Sequence, residues 1–81
     1  MKKKELLELQ SIVRKYNREH SNREVVFQTP EHVSRNNYVV RLKTAKIFTS
    51  VFLNDIKAFI KFDEYNMYIA HYQGFLYLRI S

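Results

Sequence analysis

Eighty-one residues, 46% hydrophobic and 15% aromatic, are enough to pack one core, which excludes global disorder and points to a single domain spanning 1–81. With no cysteine, disulfides, thiolate metal sites and cysteine nucleophiles are excluded. The net charge of +6 lies wholly in residues 1–46, whereas residues 47–81 are neutral and hold nine of the twelve Phe and Tyr residues.

From Lys3 to His20, Leu6, Leu9, Ile12, Val13 and Tyr16 recur at spacings of three and four, the pattern of an amphipathic helix with one buried stripe. Glu5 and Glu8 near its start and Arg14, Lys15, Arg18 and His20 near its end complement the helix dipole. The same acidic pair interrupts the apolar run that a signal peptide would need after Met1-Lys2-Lys3-Lys4. No run of about 18 apolar residues follows elsewhere, so no membrane-spanning helix is expected and the expected location is cytoplasmic. Ser21-Asn22 reads as the helix stop. The like-charged pair Arg14 and Arg18 reads as a solvated face before it reads as a phosphate contact.

Val25-Val26-Phe27 is β-branched and aromatic, a short strand closed by Thr29-Pro30. Thr29 could instead cap a single helical turn with Pro30 at its first position. Residues 30–37 read as a flexible loop. Tyr38 to Lys43 follows as a strand, with Tyr38, Val40 and Leu42 on one face and Val39, Arg41 and Lys43 on the other.

Residues 46–62 fit two templates. As a helix, Phe48, Val51, Phe52, Ile56, Phe59 and Ile60 form an apolar arc opposite Ser50, Asn54, Lys57 and Lys61. As strands they would turn at Asn54-Asp55 and also require a tight turn at Thr44-Ala45, which is poor turn chemistry. The helix is preferred, with 63–66 as a link.

The last segment, Met67 to Ile80, contains the chain's only glycine between two runs of aromatic and aliphatic residues. A two-residue Gln73-Gly74 turn pairs Tyr72 with Phe75, Ala70 with Tyr77 and Tyr68 with Arg79. Met67, Ile69, His71, Leu76, Leu78 and Ile80 then share a core-like face. Tyr68, Ala70, Tyr72, Phe75, Tyr77 and Arg79 share the other. The resulting fold class is α+β, an N-terminal amphipathic helix, a four-stranded antiparallel sheet and a second helix in the order α-β-β-α-β-β. The alternative is one helix packed on a five- or six-stranded antiparallel meander.

No catalytic constellation emerges. His20, His32 and His71 have no metal-ligand spacing, the aspartates are Asp55 and Asp63 alone, and no Gly-rich loop could cradle phosphate. His71 falls on the aliphatic face and reads as a core or edge histidine. The expectation is therefore a non-enzymatic binding module with no metal and no cofactor. The candidate binding residues are Tyr68, Tyr72, Phe75, Tyr77 and Arg79, joined by Arg41 and Lys43 from a neighbouring strand.

Such a surface suits a protein partner or a second copy of the chain, since Tyr and Arg are enriched at interfaces. An inhibitor or accessory role fits, and small basic cysteine-free chains are common among phage- and plasmid-encoded accessory proteins. The alternative is single-stranded nucleic acid, with bases stacked on the aromatic rings and cations tracking the phosphates. Both readings require that no helix crosses the aromatic face.

Overall fold

The tightest local signal in the chain, Gln73-Gly74, is a two-residue turn with φ of 50° and 82°, the left-handed pair that matches the twist of a hairpin. The computed structural model describes residues 1–21, 24–35, 37–60 and 65–81. On either side of the turn run β4 (Met67–Tyr72) and β5 (Phe75–Ile80), paired from Tyr72 with Phe75 through Ala70 with Tyr77 to Met67 with Ile80. Before them come α1 (Lys3–Glu19), β1 (Val25–Phe27), β2 (Glu31–Ser34), β3 (Asn37–Thr44) and α2 (Ser50–Ile60). The chain is α+β, and its described residues form two helices and a five-stranded antiparallel sheet in the order α-β-β-β-α-β-β. The strands lie in the order β1-β3-β5-β4, with β2 also paired to β3.

β2 corrects the expectation of a flexible loop over 30–37 and adds a strand to the four expected. Its residues, Glu31-His32-Val33-Ser34, are all exposed, so no apolar alternation announces them. They are held by pairing with β3, Glu31 opposite Val39 and His32 opposite Tyr38, with an irregularity before Ser34. Pro30 therefore leads into a strand and does not open a helical turn.

α1 presents Leu6, Leu9, Val13 and Tyr16 to the core and leaves Leu7 outside. Its first turn is tied by the Lys2 N–H donating to Glu5 Oε1 at 3.0 Å. Its last is closed by the His20 N–H on the Tyr16 carbonyl, with the His20 ring stacked on Tyr16 at 4.6 Å. Glu19 and His20 thus end the helix; Asn22, expected in the stop, lies outside the described residues.

The helical reading of the 46–62 segment holds over Ser50–Ile60, where α2 lies. Thr49 sets that start, its Oγ1 accepting the Phe52 N–H at 3.3 Å as an N-cap does. Thr49 also bonds the Tyr16 hydroxyl at 3.0 Å, fastening the two helices together. Of the expected apolar arc, Phe48, Phe52, Ile56 and Ile60 are buried, while Val51 points to solvent. Residues 61–64, including the first half of the expected 63–66 link, lie outside the described residues.

Both helices pack on one face of the sheet. Leu9, Phe52 and Ile56 meet Val40, Leu42, Leu78 and Ile80, all with essentially no exposed surface. Each such side chain contributes about 1.5–3 kcal/mol by leaving water. The buried polar residue Thr44 is satisfied, its hydroxyl donating to the Glu24 carbonyl at 3.2 Å and accepting the Lys46 N–H at 3.4 Å. β3 and β5 meet at the centre of the sheet, from Val40 opposite Ile80 to Thr44 opposite Leu76.

Candidate binding face

Because the helices share one layer, the opposite face of the sheet is left without a covering element among the described residues. Register assembles it row by row. Tyr68 lies opposite Arg79, and Arg79 opposite Arg41. In the next row Ala70, Tyr77, Lys43 and Val26 stand side by side across β4, β5, β3 and β1. Tyr72 and Phe75 close the hairpin end. All seven expected binding residues, Tyr68, Tyr72, Phe75, Tyr77, Arg79, Arg41 and Lys43, therefore share this face.

Their exposure is unequal. Tyr68 and Tyr72 are 54% and 62% exposed, Arg79 is exposed, and Phe75, Tyr77, Arg41 and Lys43 are half-buried among them. Val39, expected on this face beside Arg41, is buried at 7% exposure where β2 and β3 pair, so it offers nothing to a partner. The hairpin's other face also departs from expectation. Leu78 and Ile80 are buried and Met67 and Leu76 partly so, but Ile69 is 55% exposed and His71 is exposed. α1 leans on β1 and β3, at the far side of the sheet from β4, so these two side chains face the helix layer without being covered by it.

Cations stand directly against rings. Lys43 Nζ lies 4.2 Å from the centre of the Phe75 ring, and the Arg79 guanidinium lies 5.9 Å from that of Tyr68. Arg41 is held by Glu31, Nη1 to Oε2 at 2.7 Å, an exposed pair worth little by itself. No Asp or Glu occurs in β3, β4 or β5, so that ion pair brings the acidic charge from the sheet's margin. Together Tyr68, Tyr72, Tyr77, Arg41, Arg79 and the previously unmarked Gln28 line a shallow open groove of about 560 Å³. Gln28 could have been found by carrying the alternation of Val26 one step past Phe27.

The histidines stay apart. His20 stacks on Tyr16, His32 bonds the Arg35 carbonyl at 2.6 Å, and His71 lies on β4. Among the described residues no three His, Asp or Glu side chains are grouped so as to hold a metal ion. No family model, curated protein or solved structure matches the chain. No described helix is long and apolar enough to cross a membrane.

Proposed function

We propose that the chain is a non-enzymatic binding module whose working surface is the open face of β3, β5 and β4, and that this face takes a single-stranded nucleic acid. One observation carries the reading. Two tyrosines of β4, each more than half exposed, stand beside Arg41 and Lys43 of β3 and Arg79 of β5, on three strands that carry no carboxylate. Exposed rings on a sheet offer stacking sites for unpaired bases, worth about 1–3 kcal/mol each, and the flanking cations suit a phosphate backbone. No cofactor enters this scheme.

Titration of a labelled single-stranded oligonucleotide, DNA and RNA in turn, tests it. With three cations contacting phosphate, log affinity falls against log salt with a slope of about −2. Tyr72→Ala and Tyr77→Ala each weaken binding several-fold. A flat titration at low salt defeats the proposal.

A protein partner is the second reading, and the packing of cations on rings favours it. Phe75 and Tyr68 already have a cationic neighbour on one ring face, which leaves less room for a stacked base. Arg and Tyr packed in this way are typical anchors of protein interfaces. Under that reading Tyr77→Glu abolishes capture of a defined partner, and salt has little effect.

A further inference from the structure

We infer that the chain forms a symmetric dimer by pairing the outer edge of β4 with the same edge of a second copy. This goes beyond the nucleic-acid reading and does not depend on it. β4 is the last strand in the sheet order, and among the described residues nothing pairs with its outer side. The hydrogen-bond phase of that edge follows from the hairpin. Asn66 and Ser81 exchange both backbone bonds, at 2.9 and 3.0 Å, so residues 66, 68, 70 and 72 turn inward to β5. Met67, Ile69 and His71 therefore direct their N–H and C=O groups outward.

An edge of this kind is normally blunted by charge, proline, a bulge or a very short strand. β4 has none of these. Its six residues, Met-Tyr-Ile-Ala-His-Tyr, contain no Asp, Glu, Lys, Arg or Pro and pair with β5 in unbroken register. The opposite border has all of them, and a clamp besides. β1 is three residues long, and the Asn17 amide of α1 occupies the outward groups of Val25, donating to its carbonyl and accepting its N–H, each at 2.8 Å. Beside it, β2 carries Pro30 at its entrance, Glu31 and an irregular register.

The second copy is the occupant because the β4 edge is complementary to itself. An antiparallel β4–β4 pair centred on Ile69 places Ile69 opposite Ile69 and Met67 opposite His71. All three outward residues then become hydrogen-bonded pairs, giving on the order of six inter-chain bonds. The phase is right for a continuous sheet, since residues of one parity stay on the helix side in both copies. It brings together the two exposed Ile69 side chains without opposing any fixed charges. On the open face it sets Tyr68 diagonal to the second copy's Tyr72, within reach for aromatic side chains.

Sedimentation and light scattering at rising concentration, combined with amide exchange, test the dimer. The expected results are a mass of twice 9.9 kDa and concentration-dependent protection of the Met67, Ile69 and His71 amides. Added salt tightens the dimer by screening the +6 charge of each copy, the opposite of its effect on nucleic-acid binding. Ile69→Pro removes an outward N–H without touching the β5 ladder and raises the dissociation constant about a hundredfold or more. Ile69→Lys, which places charge on the edge while keeping every backbone group, does the same and guards against a misfolded proline variant. The proposal is overturned by a monomer at millimolar concentration with free exchange at Ile69, which would leave the edge to a foreign strand. It is equally overturned by a dimer indifferent to both substitutions.

Discussion

At one border of the sheet the outward N–H and C=O of Val25 are held by a side chain from α1, and the strand beside it is short and interrupted. At the other, Met67, Ile69 and His71 present the same backbone groups with no described partner, on a strand of six regularly paired residues. One border is built by the strands that follow α1, the other by the hairpin that follows α2. The difference shows that sheet closure here is local, supplied by Asn17 and by the irregularity of β2. Where no such device exists, an edge stays competent for pairing however well its neighbour is packed.

The largest effect expected comes from testing the apolar support of the two borders with the same kind of truncation. Phe52→Ala, in the fully buried layer under β3 and β5, costs about 3–5 kcal/mol in denaturant unfolding. Ile69→Ala, on the bare border, changes monomer stability by less than about 0.5 kcal/mol. Equal losses would mean that the helices reach across to β4 in solution.

Removing the clamp sharpens the contrast at intermediate size. Asn17→Ala leaves both backbone groups of Val25 unpaired in a partly buried place, at a cost of about 1–3 kcal/mol. Amide exchange should register the loss at Val25 while leaving β4 unchanged. A silent Asn17→Ala would show that water serves the edge as well as the amide does.

The smallest effect concerns the tie between α1 and the lead-in to β4. Burial pushes the Glu5 carboxyl up, but the hydrogen bonds from Tyr65 and the Lys2 N–H and the nearby positive charges outweigh it, so it titrates below its ordinary value of 4.5. A lowered folded value stabilises the protein above the ordinary carboxylate range, and that contribution disappears as pH falls through the folded value. Urea midpoints of wild type and Glu5→Gln should therefore converge between pH 7 and pH 3. Because Glu5 is mostly solvated, the gap at neutral pH is small.

Legibility in the sequence followed the range of the forces involved. The hairpin register came out residue by residue, because Gly74 and strand alternation are local. The stripe of α1 and the helical nature of α2 were likewise legible from spacing, as was the grouping of the seven residues of the open face. β2 was not, since Glu31, His32, Val33 and Ser34 are all exposed and owe their strand to pairing with β3. Nor was the exposure of Ile69 and His71. Alternation fixes which face a side chain takes, but the sideways position of the helices decides whether that face is covered. Val39 failed for the related reason that its burial comes from the junction with β2.

The central seam between β3 and β5 also governs how the molecule is assembled in time. The β4–β5 hairpin closes over two residues, whereas Thr44 must find Leu76 and Val40 must find Ile80 across the whole of α2. Loop-closure entropy predicts that this encounter is the slow event and that the hairpin forms before it. Substitutions at Leu42 and Leu78, opposite one another in the seam, should then slow folding, whereas changes at Ile69 should leave both rate constants of the monomer untouched.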